Sequence, residues 1–128
     1  MPGVPSERLT REHRLRASRD FAAVKAGGTA FRGAHCLLLV LAQPGVPTRV
    51  GFIASKKGVG GAVQRNRARR RLREIVRRRF PRMPEHGYLM VLIAFRSAIS
   101  ALHQDLASDV ERLLAKAGAL TPVAAEAH

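Results

Sequence analysis

The residues best suited to chemistry in this sequence are a run of cations in residues 56–82. The run holds twelve lysines and arginines against one acid, Glu74. Guanidinium and ammonium groups pair with phosphate, and arginine also forms bidentate hydrogen bonds and stacks on bases. The run therefore indicates a nucleic-acid contact, with a solvated charged face or an acidic protein or membrane surface as the alternatives.

The periodicity of this run predicts a helix that is buried on one face only. Four apolar residues recur at helical spacing and share one narrow face, namely Ala68, Leu72, Ile75 and Val76. One flank then carries Asn66, Arg69, Arg70, Arg73 and Arg77, and the other carries Arg67, Arg71 and Arg78. Like charges stacked one turn apart destabilise a free helix. A helix that bears this cost is typical of a surface that meets a polyanion.

Asn66 interrupts the cations and offers a different kind of contact. Its amide both donates and accepts hydrogen bonds, so it suits a base edge or a ribose 2′-hydroxyl, or else it caps the helix. The glycines of residues 56–63 fit neither the dinucleotide-binding fingerprint nor the phosphate-binding P-loop.

Cleavage chemistry by the chain itself has little support. Nuclease activity needs clustered carboxylates for metal ions or a histidine or lysine acid–base pair. The nine acids are scattered, and neither H-x-H nor D-x-D spacing occurs. We therefore expect no catalytic residue and no metal ligand in this chain.

The composition limits the architecture and the partners. A chain of 128 residues has room for one domain with one core, and its net charge of +14 suggests a polyanionic partner. Cys36 is the only cysteine, which excludes an internal disulfide and predicts a small buried residue in a strand. No apolar stretch approaches the ~20 residues of a membrane span. We expect a cytoplasmic protein with no membrane partner and no small-molecule substrate.

The remaining elements must position the basic helix. We predict a flexible basic arm over residues 1–16, a single domain over 17–118 and a disordered tail over 119–128. A first helix with Ser18 as N-cap precedes the strands, and a last helix has Ser100 as N-cap and Gly118 just after its end. The predicted strands cover residues 29–33, 34–42, 49–55 and 88–94, with residues 49–55 as hairpin partner or sheet neighbour of 34–42. The fold class is α+β, with helices packed on a single small sheet.

The order of residues 55–74 is recognisable. Ser55-Lys56-Lys57 leads into a glycine-containing turn, then Ala62-Val63-Gln64, and then Arg65-Asn66-Arg67 at the start of the basic helix. This pattern resembles the signature of the protein subunit of bacterial ribonuclease P. Arg14-Leu15, Asp20-Phe21 and Arg49-Val50-Gly51 also lie where that family has them, so the resemblance covers roughly residues 8–118. Composition alone leaves a ribosomal or a DNA-binding protein open.

The resemblance implies a fold of α-β-β-β-α-β-α order with a left-handed crossover at the basic helix. It implies an RNA-binding subunit of the ribonucleoprotein that cleaves the 5′ leader from precursor tRNA. The partners are then the catalytic RNA and the leader. The RNA performs the chemistry with Mg²⁺, which the RNA and substrate mainly hold, and the protein lowers the Mg²⁺ requirement.

The resemblance also implies two groups of contact residues. Those for the catalytic RNA are Lys56, Lys57, Arg65, Asn66, Arg67, Arg69, Arg70 and Arg73. Those for the leader are Phe21, Lys25 and Phe52, although core packing is an equal alternative for Phe21 and the favoured one for Phe52. The sequence departs from the family in a loop one glycine longer, and in Lys25 and Leu39 where the family has aromatic residues.

Overall fold

The computed structural model describes residues 13–120 as one four-stranded sheet with three α-helices. In chain order the elements are α1 (Ser18–Gly27), β1 (Thr29–Arg32), β2 (Cys36–Pro47), β3 (Arg49–Ile53), α2 (Ala62–Arg79), β4 (His86–Ala94) and α3 (His103–Lys116). Short 3₁₀ turns, Phe80–Arg82 and Arg96–Ile99, follow α2 and β4. The predicted α+β class and the α-β-β-β-α-β-α order are confirmed.

The strand order in the sheet is β1-β2-β4-β3. β2 pairs antiparallel with both β1 and β4, whereas β3 pairs parallel with β4 after the α2 crossover. The prediction that residues 49–55 pair with the strand of residues 34–42 is therefore wrong. The physical reason is burial: β4 is buried on both faces from Leu89 to Leu92, so it takes a central position and leaves β3 at the edge. The handedness of the crossover stays a prediction.

The two faces of the sheet carry different helices. α2 and α3 cover one face, where the predicted apolar residues of α2 are at most 1% exposed. These are Ala68, Leu72, Ile75 and Val76. α1 covers part of the other face, where Val24 packs with Leu15, Leu89 and Val91. The edge strand β3 therefore lies between α1 on one side and α2 on the other.

The folded part extends beyond its predicted limits at both ends. Arg14 forms a parallel β-bridge with Val50, and the Leu15 amide donates to the Val50 carbonyl at 3.0 Å, so both residues belong to the sheet edge rather than to a flexible arm. Ala119 and Leu120, predicted as the start of a disordered tail, are buried. The remainder of the arm and of the tail, residues 1–12 and 121–128, lies outside the described residues.

The helix ends follow the predictions only in part. Ser18 is the first residue of α1 and makes no side-chain cap, because Ala17 occupies the N-cap position. Ser100 ends the preceding 3₁₀ turn by donating its amide to Ser97, so Leu102 becomes the N-cap residue of α3. Gly118 has φ +78° directly after α3, as predicted, and Ala119 closes the end through its amide.

A buried carboxylate fixes α3 to the turn between β1 and β2. Asp109 is 2% exposed and accepts hydrogen bonds from the backbone amides of Ala34 and His35, each at 2.9 Å. Arg112 pairs with the same carboxylate at 2.7 Å. Cys36 is fully buried beside it, and burial together with this negative charge raises the pKa of the thiol to about 12. Cys36 is therefore an unreactive core residue, as predicted.

Candidate nucleic-acid interface

Ser55 closes the loop before α2, and its carbonyl accepts a hydrogen bond from the Val59 amide at 2.9 Å. The amide of Gly58 donates to the Ser55 hydroxyl at 2.8 Å, and the fully buried Val59 anchors the loop in the core. Gly60 has φ +136°, a conformation that residues with a Cβ rarely adopt, so the longer glycine loop is used as a tight turn. Lys56 and Lys57 are exposed at its tip.

One flank of α2 presents cations and Asn66 to the outside. Asn66 and Arg70 are exposed, and the Asn66 side-chain oxygen accepts a hydrogen bond from Arg69 at 2.5 Å. The Asn66 side-chain amide is thus oriented by its contact with Arg69. It does not cap the helix, since Gly61 is the N-cap residue. Arg65 and Arg69 are half-buried along the same side of the helix.

At the β3 edge of the sheet this flank borders a small cationic cavity, which we call the arginine cavity. Its volume is about 200 Å³, and its lining consists of Arg14, Leu15, Arg16, Phe21, Val50, Gly51, Phe52, Arg69 and Arg73. Four guanidinium groups and no carboxylate line it. Such an arrangement attracts an anion, because the guanidinium groups repel one another and a bound negative charge relieves that repulsion.

Arg73 shows the effect of this repulsion between guanidinium groups most clearly. Its guanidinium lies 5.7 Å from the centre of the Phe52 ring, and its Nε is buried without a hydrogen-bond partner. Burial, and then the charges of Arg14, Arg69 and Arg70, lower the pKa of Arg73. The folded protein therefore holds an incompletely satisfied cation at the wall of the cavity.

Phe21 lies between the arginine cavity and a second cavity on the α1 side. The second cavity, which we call the α1 cavity, measures about 370 Å³ and is lined by Ser18, Phe21, Ala22, Lys25 and Ile53. The Phe21 ring packs directly on Gly51, where an added Cβ would lie 2.6 Å from two ring carbons. The structure thus brings Phe21 and Phe52 together with Arg69 and Arg73, and places Lys25 in the adjoining cavity.

The other flank of α2 serves the protein itself. Arg71 donates to the carbonyls of Ala98, Ile99 and Ala101 at 2.9, 2.9 and 2.5 Å, which satisfies the C-terminal end of a 3₁₀ turn. Arg67, expected to contact RNA, donates its Nε to the Ile99 carbonyl at 3.0 Å while remaining exposed. Sequence reasoning missed this internal role, and it also missed Arg14 and Arg16 as part of the arginine cavity.

The described residues contain no group of three or more histidines, cysteines or acids that could hold a metal ion. Over the same part of the chain, no helix is long and apolar enough to cross a membrane. The four strands, three helices and cationic sheet edge define a small basic α+β protein built around a single sheet.

Comparison with known proteins identifies its family. The family model described as Ribonuclease P matches residues 9–118, and the chain belongs to this family of ribonuclease P proteins. The ribonuclease P protein component of Symbiobacterium thermophilum is 42% identical over 113 residues, covering 88% of this chain and 96% of the relative. That of a Synechococcus strain is 38% identical over 116 residues, covering 88% and 86%.

Solved structures agree in fold. The Staphylococcus aureus RNase P protein superposes with a TM-score of 0.74 at 21% identity, covering 85% of this chain and 98% of that one. The RNase P protein from Thermotoga maritima gives 0.70 at 26% identity, covering 80% and 96%. The chain is accordingly part of the holoenzyme that processes tRNA 5′ ends, with the RNase P RNA and tRNA as partner and substrate, and the protein alone is not the catalyst.

Proposed function

We propose that this protein holds two RNA segments side by side. The Asn66 flank of α2 binds the catalytic RNA, and the cavities on either side of Phe21 bind the 5′ leader of precursor tRNA. The observation that carries the proposal is the arginine cavity, because α2 contributes Arg69 and Arg73 to the same space that α1 lines with Phe21. An RNA strand in that cavity would contact both α1 and α2.

The catalytic-RNA surface consists of the loop lysines and the α2 residues of the exposed flank. Exposed cations pair with phosphates, and the Asn66 amide can read a base edge or a 2′-hydroxyl. Arg67 contributes from its exposed side while its Nε holds Ile99. The full set is Lys56, Lys57, Arg65, Asn66, Arg67, Arg69, Arg70 and Arg73.

The leader surface combines one aromatic residue with charge. Phe21 is half-buried between two cavities, so one side of its ring can stack on a base. Lys25 is exposed in the α1 cavity and suits a phosphate. Phe52 is half-buried beneath Arg73, and its role is to support that guanidinium next to the leader.

The Mg²⁺ that the family implies does not fit the described part of this chain. No carboxylate cluster is present there, and the candidate surface is cationic, which repels a divalent cation. We therefore assign Mg²⁺ to the RNA subunit and the substrate. The protein lowers the Mg²⁺ requirement because its cations neutralise phosphates that Mg²⁺ would otherwise have to neutralise.

Substitutions in the two surfaces should weaken different binding steps. Replacing Arg65 and Arg70, which line neither cavity, together by alanine should weaken assembly with the catalytic RNA and reduce the salt slope of binding by roughly 1–2, because fewer counterions are released. Phe21→Ala should spare assembly but cost ~1–3 kcal/mol of affinity for precursor tRNA with a leader. On leaderless tRNA the Phe21 variant should bind normally.

Both affinities are measured for both variants, and cleavage is titrated with Mg²⁺ in parallel. The protein should shift the Mg²⁺ midpoint of the catalytic RNA downward, and the arginine variant should lose part of that shift. Equal weakening of leaderless and leader-bearing tRNA by Phe21→Ala would contradict the assignment of the leader to this cleft.

A further inference from the structure

A third cavity continues the line formed by the other two along β3. This cavity, which we call the Phe80 cavity, measures about 550 Å³ and is lined by His13, Pro47, Arg49, Phe80, Pro81, Met83, Glu85 and His86. Along β3, Ile53 borders the α1 cavity, residues 50–52 border the arginine cavity, and Arg49 borders the Phe80 cavity. The three cavities therefore follow one another in the direction of the strand.

Two further elements repeat the same order. Arg73 of α2 borders the arginine cavity, and Phe80 follows seven residues later, two helical turns or about 10 Å further along the same side. In the segment before α1, Arg14 borders the arginine cavity and the preceding His13 borders the Phe80 cavity. Three independent stretches of chain thus place the Phe80 cavity directly beyond the cluster of guanidinium groups.

The walls of the Phe80 cavity suit a flat heteroaromatic ring. The centroids of the Phe80 and His13 rings lie 4.5 Å apart. The two rings form an aromatic wall that Met83 and two prolines extend. The remaining lining consists of Arg49, Glu85 and His86. Among these, the Glu85 carboxylate disfavours a phosphate but can accept a hydrogen bond from the exocyclic amino group of a base.

We propose that the Phe80 cavity takes an unstacked base of the precursor tRNA leader whose neighbouring phosphate lies in the arginine cavity. The charge pattern separates the two parts of a nucleotide. The arginine cavity has four cations and no acid, whereas the Phe80 cavity has one cation, Arg49, balanced by one acid, Glu85, beside its aromatic wall. A leader is the appropriate RNA because single-stranded nucleotides can turn their bases out of a stack at little cost. This inference rests on the proposed leader site and extends it by one nucleotide-binding cavity.

The test uses the reconstituted holoenzyme and precursor tRNAs whose leaders grow one nucleotide at a time. Phe80→Leu keeps an apolar side chain but removes the aromatic ring, and should weaken binding about five-fold or more once the leader reaches the cavity. Because the cavities lie in series, the Phe21→Ala and Phe80→Leu effects should begin at different leader lengths. Phe31→Leu, another half-buried phenylalanine packed on the main core, controls for lost packing and should leave binding unchanged at every length.

A photoreactive thiouridine placed at successive leader positions gives a direct readout. Crosslinking from one position to the Phe80 cavity, identified by mass spectrometry of the digested protein, supports the inference. If Phe21→Ala shows its leader-dependent loss while Phe80→Leu binds normally at every length, the Phe80 cavity is not part of the path and the proposed function still stands. If Phe80→Leu weakens leaderless tRNA or assembly with the catalytic RNA equally, the leader is not the occupant. If Phe21→Ala has no leader-dependent effect, the proposed function itself fails.

Discussion

A single methyl group at position 51 should disturb the centre of the proposed leader site. In Gly51→Ala the new Cβ would lie 2.6 Å from Cε1 and Cζ of Phe21, where ordinary contact begins at 3.4 Å. The ring must therefore move by roughly 0.8 Å, and the neighbouring Leu15 Cβ at 3.2 Å leaves little room on that side. The backbone offers no further obstacle, because Gly51 is not among the glycines with positive φ.

Overpacking of this kind typically costs ~1–3 kcal/mol of the free energy of unfolding. We expect Gly51→Ala to lose stability within that range and also to lose leader-dependent affinity, because the Phe21 ring separates the arginine cavity from the α1 cavity. Chemical denaturation measures the first effect, and equilibrium binding of tRNA with and without a leader measures the second.

A double-mutant cycle decides whether Phe21 is the cause. In the Phe21→Ala background the ring is absent, so the added methyl group should cost far less and the two substitutions should couple strongly. Additive free energies in the cycle would refute the reasoning, because they would mean that the methyl group disturbs something other than the ring. Full stability of Gly51→Ala would refute it as well.

Further predictions separate core, clamp and binding residues of α2. Leu72→Ala should cost ~2–5 kcal/mol of the free energy of unfolding, because it leaves a cavity in place of a fully buried side chain. Arg73→Ala should barely change the melting temperature while weakening RNA binding. A large loss of melting temperature for Arg73→Ala would mean that the residue is structural. Arg71→Lys should cost ~1–3 kcal/mol in denaturant titrations, because one ammonium group cannot replace the fork that reaches Ala98, Ile99 and Ala101; stability equal to the parent would contradict the clamp. Millimolar sulfate should raise the melting temperature more than chloride at equal ionic strength, because it relieves the repulsion that lowers the pKa of Arg73, and Arg73→Met should lose that difference.

The parts of the fold that follow from local spacing were predictable from the sequence. The buried face of α2 depends only on helical periodicity, and the four residues expected there are all buried. Apolar runs likewise located the strands, although β2 continues to Pro47, five residues beyond its predicted end at residue 42. Strand pairing did not, because the apolar pattern of residues 49–55 fits either neighbour. Only the burial of β4 on both faces puts that strand in the centre of the sheet and separates β2 from β3.

The candidate site was predictable where it lies on one helix and not where distant segments meet. The α2 cations were recognised from their density and from the resemblance to a known family. Arg14 and Arg16 were assigned to a flexible arm, because only the bridge to Val50 brings that segment to the sheet edge. Asp109 was missed for a similar reason: an isolated acid on a helix gives no sign that it will bond to a turn 74 residues earlier in the chain.

The high charge of α2 is tolerated because its three sides have different functions. The apolar side is buried against the sheet. On the second side, Arg71 donates to the carbonyls of Ala98 and Ala101, so internal acceptors satisfy its guanidinium. On the third side Asn66 accepts from Arg69 and Glu74 pairs with Arg77, but the lining of the arginine cavity contains no carboxylate and the Nε of Arg73 lacks a hydrogen-bond partner. In the proposed complex, RNA phosphates complete this side. RNA binding and the stability of the sheet edge should therefore be coupled, because the same guanidinium groups that repel one another in the free protein are neutralised in the complex.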